Sequence, residues 1–463
     1  MPTARHGALA VLLIAGFLGR PVVAEEAASG SLPIPERLTP ETAVAIAIEH
    51  HPVLAAAESE VDAAAAESDF AKTGWLPRID AVLDATRSTN PTFVFASKLG
   101  QETFGPADFA IDALNQPDAL TNVAKRIVVQ QNIWDAGRTS LGKEATALGV
   151  EAASARRERT REEVAFGALR AFWGAVLAEE MQEVASAAEK AAYANVDLAR
   201  ALVEEGAAVP SDRMQAEVRL AEVRTLVVRA EEGVEVSRAA LRQALGISED
   251  RAFALDPPSV ETGGEARDAQ ARLDEARSTR PDLLALDAQA RQAEVGERMA
   301  RSRRLPVIGL GAQAEWNGDG FLTNTGNNWS VGAMLTLPVF EGNETRAKSA
   351  RAAADRARVE AYRRALDEGI RLEVRAALAQ RASAAERLRT AESAAGLAAE
   401  ALRIVRERYA EGMAVMVELL GAEAAETAAR GNRAHAAHDL ALARAAVDLA
   451  SGRSLVSSTE STQ

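Results

Sequence analysis

The sequence predicts a mainly α-helical chain, built by internal duplication, in which each copy carries one β-hairpin. Three observations predict it. Of the 463 residues, 48% are hydrophobic, 26% charged and only 4% aromatic, and a bias to Ala, Glu, Arg and Leu is the composition of long helices. Short landmarks recur in the same order in the two halves of the chain. Alternation of period two is clearest in one pair of short runs in the second half. The formal net charge of -14 argues against a nucleic-acid partner, because binding phosphates needs a basic face. With no cysteine there is no disulfide, thiolate metal site, cysteine nucleophile or lipid-modified N-terminal cysteine. No internal stretch reaches the roughly 20 apolar residues of a spanning helix, so any entry into a membrane is by strands.

Residues 1–24 read as a signal peptide. Arg5 gives a positive start, residues 8–18 an apolar core too short to span, and Val22-Val23-Ala24 a small-residue cleavage site before Glu25. The chain is expected to leave a bacterial cytoplasm. A first repeat then occupies residues 25–249, a linker 250–269, a second repeat 270–452 and a disordered tail 453–463. The linker is marked by Pro257, Pro258 and two glycines, and the tail by its Ser and Thr content. His51-Pro52-Val53-Leu54 recurs as Arg280-Pro281-Asp282-Leu283, and Leu76-Pro77 as Leu305-Pro306, at one constant offset. Ile133-Trp134-Asp135 recurs as Val339-Phe340-Glu341, Glu205-Gly206 as Glu411-Gly412, and Ala244-x-Gly246 as Ala450-x-Gly452, at a second, shorter one. The copies therefore differ by one insertion between Pro77 and Trp134.

Each copy begins with a short helix, in the first from Thr39-Pro40, where threonine caps and proline suits the first turn. A proline ends that helix, and a second one runs to about Gly74. Next come a strand, a loop and a second strand ending near Trp134. In the second copy Ile308, Leu310, Ala312, Ala314 and Trp316 alternate with Gly309, Gly311, Gln313 and Glu315. Trp329, Val331, Ala333, Leu335, Leu337 and Val339 alternate with small or polar residues, across a loop at residues 317–328. Such apolar stripes need a partner. Tilted strands of about 9–11 residues can cross a bilayer with one row facing lipid. Trp75, Trp134 and Phe340 mark one end of the hairpins and Trp316 and Trp329 the other, the two levels where interfacial aromatics collect. Four strands cannot close a barrel, since about eight is the smallest number seen, so several chains must share one.

After each hairpin a proline-free helix is predicted, over Arg138–Glu204 and residues 343–410, each about 100 Å long. Seams of 3-4-3-4 spacing run through Met181, Val184, Ala188, Ala191, Asn195, Leu198 and Leu202, and through Leu388, Ala391, Ala395, Ala398, Leu402, Val405 and Tyr409. Further apolar residues off the seams (Val196, Ala199, Val203; Leu397, Ile404) give each helix two sticky flanks, as a ring of helices requires. The helices stop at Gly206 and Gly412, and return helices follow.

The search for catalytic residues yields none. Gly309-x-Gly311 lies inside a strand and is no phosphate loop. His435 and His438 sit one helical turn apart, but no second acid pair converges on them from the sequence. Glu49-His50-His51 lies at a helix end, where histidine suits the dipole. No catalytic, cofactor or metal site is assigned, and the chain is not read as an enzyme. Two other classes compete. A periplasmic helical adaptor would be soluble on fractionation, and an exported metal-binding protein using His435 and His438 would respond to metal titration.

The order of these features resembles the TolC-like outer-membrane efflux proteins over residues 38–452. The resemblance rests most on Leu76-Pro77, Ile133-Trp134-Asp135-Ala136-Gly137-Arg138, Arg408-Tyr409-x-x-Gly412 and Glu418-Leu419-Leu420-x-Ala422. It implies a homotrimer in outer-membrane lipid: a 12-stranded β-barrel, four strands per chain, continued by a long periplasmic α-helical barrel. This passive conduit would dock on a periplasmic adaptor (membrane fusion) protein and an inner-membrane pump. Docking falls to the two glycine turns, with Gly206, Arg408, Glu411, Gly412, Met413 and Val415. The gate falls to an acidic ring of Glu418, with Asp212 and Tyr409 as latch residues. Gly421 stands where the family's second acid is expected and Ala414 where a basic residue is, so the ring is expected to be single and the latch weak. The longer first loop, residues 90–122 with Phe93, Phe95, Phe104 and Phe109, is expected to be an extracellular lid.

Overall fold

A computed structural model describes residues 35–247, 253–260, 262–263 and 268–456; the signal peptide expected at 1–24 and residues 457–463 of the expected tail lie outside them. The first copy runs β1 (Arg37–Leu38), α1 (Pro40–His50), α2 (Pro52–Lys72) and β2 (Arg78–Ser88). A segment holding α3 (Pro91–Gly100) and α4 (Ile111–Asn115) leads to β3 (Leu120–Trp134), the long α5 (Arg138–Glu204) and its return helix α6 (Pro210–Leu245). After β4 (Ala254–Leu255) the second copy runs α7 (Ala269–Thr279), α8 (Pro281–Ser302), β5 (Val307–Gly318), β6 (Gly326–Thr336), the long α9 (Glu344–Ala410) and α10 (Met416–Ala450). Local chemistry sets these limits. Thr39 and Thr42 exchange hydrogen bonds as a capping box at the start of α1, and Pro40, Pro52 and Pro281 each open a helix, where the missing N–H costs nothing.

β2, β3, β5 and β6 form one antiparallel sheet in that order, so the two hairpins join through β3 and β5. The register aligns Leu83 with Lys125 and Lys125 with Trp316, Ala81 with Ile127 and Ile127 with Ala314, and Ala314 with Trp329. One face of all four strands is therefore apolar, with Ile79, Leu83, Ile127, Val129, Leu310, Trp316, Trp329, Val331 and Leu335. The other carries Asp80, Asp84, Arg126, Gln130, Gln313, Glu315 and Ser330. Most of the apolar face is exposed in the single chain. No described helix is long and apolar enough to cross a membrane.

Each hairpin passes into its long helix through the same device. At Ala136-Gly137 and again at Gly342-Asn343 two successive residues have positive φ. The preceding acid, Asp135 or Glu341, turns back to the helix it precedes: Asp135 Oδ2 accepts from the Thr139 backbone N–H at 2.7 Å and from its hydroxyl, and Glu341 accepts from the Thr345 hydroxyl. These carboxylates satisfy donors of the helix first turn.

A second duplicated joint fixes the other end of each return helix. Gly246 and Gly452, at φ +73° and +69°, end α6 and α10 against the kinks between α1 and α2 and between α7 and α8. A Cβ on Gly246 would lie 2.7 Å from the His50 carbonyl oxygen. In the second copy Arg280 fills the kink and is 2% exposed. It donates to Asp282 at 2.6 Å, Glu373 at 2.7 Å and the Ala450 carbonyl at 3.1 Å. Burial pushes the Asp282 carboxyl up, but the Arg280 guanidinium outweighs it and holds the group below its usual range.

The structure corrects several boundaries. β5 and β6 extend to Gly318 and from Gly326, so the expected loop at 317–328 shrinks to seven residues, because β5 stays paired with β3 out to Val123. β6 stops at Thr336 rather than Val339, since Pro338 has no N–H for the ladder. The expected linker, 250–269, holds β4, which pairs in parallel with β1, and α7 begins at Ala269 rather than 270. The expected tail is anchored over residues 453–456: Leu455 is buried beside Val44 and Ala165, and its N–H donates to Glu162 at 2.9 Å. Within residues 90–122, α3, α4 and an edge-to-face stack of Phe95, Phe104 and Phe109 supply the local contacts of the longer connection.

Two outcomes follow for the joints. Gly246→Ala combines positive φ with a backbone clash and is expected to cost about 2–4 kcal/mol in denaturant unfolding, against about 1 kcal/mol for Gly412→Ala, where open space surrounds the added carbon. Because the Asp282 pKa is lowered on folding, its stabilisation is full above the unfolded value of about 4 and fades as pH falls through the folded one. Arg280→Met should therefore lower the melting temperature at neutral pH and shrink its further loss below about pH 4, followed by circular dichroism.

Candidate functional site

The residues singled out from the sequence converge on the two helical turns. Both turns are built alike. α5 ends with the Ala207 N–H on the Leu202 carbonyl at 2.8 Å and Gly206 at φ +73°; α9 ends with the Met413 N–H on the Arg408 carbonyl at 2.8 Å and Gly412 at φ +73°. This pattern closes the last carbonyls of a helix and needs a left-handed residue. The Arg408 side chain donates to the Met413 carbonyl at 3.0 Å, bracing the second turn. Arg408, Glu411, Gly412, Met413 and Val415 are exposed, as is Gly206, and Val209, Met214 and Val417 extend an apolar surface across both turns.

Behind the turns the two hairpins share one apolar core. Ala192, Val196 and Ala199 of α5, Ala216, Leu220 and Val223 of α6, Tyr409 of α9 and Met416 and Leu419 of α10 pack together. The buried stripe of α5 thus includes Val196 and Ala199, which the sequence put on a flank, because α5 must meet both α6 and α10.

Asp212 and Glu418 hold equivalent places, each in the first turn of a return helix, where an acid complements the dipole. Their surroundings differ. Glu418 is exposed and makes no ion pair among the described residues. Asp212 is half-buried and lies close enough to Tyr409 to act on it: burial, then the Asp212 charge, push the Tyr409 phenol above its ordinary range. The Tyr409 hydroxyl is itself buried with no hydrogen-bond partner among the described residues.

A polar cluster lies deeper. Glu423 of α10 is 6% exposed; it accepts from Asn195 of α5 at 2.6 Å and from Arg406 of α9 at 3.2 Å. Three helices from both hairpins are tied at one carboxylate. The sequence carried one signal of it, an asparagine in an apolar seam, which demands a polar partner; which partner depends on the lateral packing of α10. His435 lines a groove between α5, α6 and α10 of about 710 Å³, and His438 Nδ1 lies 3.3 Å from Asp439. No group of three or more His, Asp or Glu able to hold a metal occurs among the described residues.

Comparisons with known proteins bear on the family and the fold. A family profile described as outer membrane efflux protein matches residues 43–247 and 272–453. No curated protein matches the sequence. Solved structures do. The outer membrane channel CmeC of Campylobacter jejuni is 18% identical with a TM-score of 0.74, over 89% of this chain and 85% of that one. VceC, an outer membrane protein of Vibrio cholerae, is 18% identical at 0.74, over 90% and 96%. The open state of the MtrE outer membrane channel of Neisseria gonorrhoeae is 20% identical at 0.73, over 90% and 89%.

The tip cluster sets two opposite expectations. Asn195→Ala strips Glu423 of a partner and is expected to lose about 1–3 kcal/mol. Tyr409→Phe removes an unpaired hydroxyl and is expected to leave stability unchanged or slightly raised. Denaturant unfolding of the purified variants checks both.

Proposed function

The chain belongs to the outer membrane efflux protein family, and from that premise we propose that three copies build one export channel: a twelve-stranded barrel in the outer membrane continued by a tunnel of the long helices. The observation that carries the reading is the four-stranded sheet. It has one apolar and one polar face, and its outer strands, β2 and β6, each leave an edge unpaired. Hydrocarbon offers those backbone groups no partner, and a neighbouring chain does. Exposed apolar residues on α6 (Val218, Val228, Val236) and on α9 (Leu372, Leu397, Ile404) likewise suit a head-to-tail contact that closes into a ring.

The polar face then lines the barrel lumen, and α3 covers its outer end as a lid. Gln101 supports this: 3% exposed, it donates to the Thr121 carbonyl and to Asn122 Oδ1, both at 2.9 Å. Asn122 in turn donates to Asn317 on the same face at 2.9 Å. At the other end, the exposed turns around Gly206 and Gly412 dock on a periplasmic adaptor that joins the channel to an inner-membrane pump. Three Glu418 carboxylates ring the tunnel mouth and favour cations, with Asp212 and Tyr409 behind them. The channel does no chemistry; its cargo moves at the expense of the pump.

Light scattering of detergent-extracted outer-membrane protein should give three chains; a stable monomer would remove the shared barrel. In a planar bilayer, Glu418→Gln should reduce cation preference and block by multivalent cations without altering assembly, and an unchanged reversal potential would take Glu418 out of the constriction. Gly412→Asp should give a folded trimer with impaired efflux in cells.

A further inference from the structure

At the outer end of the sheet the apolar face carries a cation that the channel reading does not use. Lys125 of β3 stands on that face, between Leu83 of β2 and Trp316 of β5. Its ammonium is held by the β5–β6 turn: it donates to the Thr323 carbonyl at 3.1 Å and to Asn324 Oδ1 at 2.8 Å, and lies 5.7 Å from the centre of the Phe321 ring. It makes no ion pair among the described residues. The acid of that turn, Asp319, is engaged by the Thr323 hydroxyl at 2.7 Å. An ammonium has three donors, so one remains for a ligand. Beside it Phe321 is exposed and Leu322 is 91% exposed, two apolar side chains at a turn tip that none of the described residues covers. Arg87 of β2 adds a second cation to the same face farther out, beside the Thr121 hydroxyl at 3.5 Å.

The height of this group identifies what it meets. Ile308 pairs with Trp134 at the inner end and Trp316 with Lys125 at the outer end. Along β5 that span is about 26 Å, and at a barrel tilt near 40° it projects to roughly 20 Å, close to the apolar band of about 25 Å of an outer-membrane barrel. Lys125 thus stands at the outer rim of the lipid-facing band, level with an interfacial tryptophan. A cation there faces headgroups, with the exposed Phe321–Leu322 turn beside it.

We propose that Lys125, with the Phe321–Leu322 turn, is a binding site for the phosphate-bearing headgroup of an outer-leaflet lipid. The proposal rests on the reading that the apolar face meets lipid. The phosphate takes the free ammonium donor, the Phe321 ring stabilises the same cation, and the turn is held against the barrel wall by the lipid it binds.

The test uses the full-length channel extracted from outer membrane, exchanged into detergent and titrated with lipid A, dephosphorylated lipid A or inorganic phosphate, with bound lipid counted by native mass spectrometry. Lys125→Gln is expected to weaken lipid A binding about fivefold, Lys125→Arg to keep it, and dephosphorylated lipid A to bind the wild type as weakly as lipid A binds Lys125→Gln. Arg126→Gln, on the opposite face of the same strand, should leave binding unchanged. Equal retention by Lys125→Gln, an equal loss in Arg126→Gln, or displacement of lipid A by inorganic phosphate would each overturn the proposal, the last by marking a site for free anions. A wild-type protein absent from the outer-membrane fraction would instead overturn the channel reading beneath it.

Discussion

A β-sheet with two unpaired edges and one largely apolar face has no resting state as a lone chain in lipid, because each unpaired N–H and C=O in hydrocarbon costs several kcal/mol. Everything else in this chain is arranged around that constraint. The sheet is four strands wide because each copy of the duplicated unit contributes one hairpin, and the hairpins meet at β3 and β5. The free edges fall on β2 and β6, one from each copy, so neighbouring chains related by rotation can pair an edge of one copy with an edge of the other. The duplication that sets the width of the sheet also sets the shape of its interface.

The helices inherit their positions from the same unit. The paired left-handed residues that follow β3 and β6 start the long helices, and the acids before them close the first turn. At the far end of each return helix, Gly246 or Gly452 lets α6 or α10 abut a helix kink. The copies then diverge in chemistry at equivalent points. Arg280 with its two carboxylates stands where the first copy has His51, and exposed Glu418 stands where it has half-buried Asp212. Duplication supplied the geometry, and later substitution gave the two halves different charges at the same places.

At the outer end of the sheet the two connections divide between its two faces. The longer first connection folds onto the polar face through Gln101, Asn122 and Asn317, whereas the short β5–β6 turn reaches Lys125 on the apolar face. Side-chain alternation along a single strand, Asn122 and Lys125 of β3, suffices to divide them.

The element order, the duplication and the extent of the long helices were legible in the sequence, because each has a local cause: prolines at helix starts, glycines at helix ends, and periods of two and of 3.5 that persist for many residues. The family could be read for the same reason, since its landmarks are turn residues. The tertiary structure decided what depends on lateral neighbours. The ends of β5 and β6 followed from pairing with β3, and the ordering of residues 453–456 from a pocket made by α1 and α5. Asn195 announced a polar partner, but its identity, Glu423, lies more than two hundred positions away in the chain and is set by how α10 packs on α5. Lys125 became a candidate site only through the turn after β5 that folds over it.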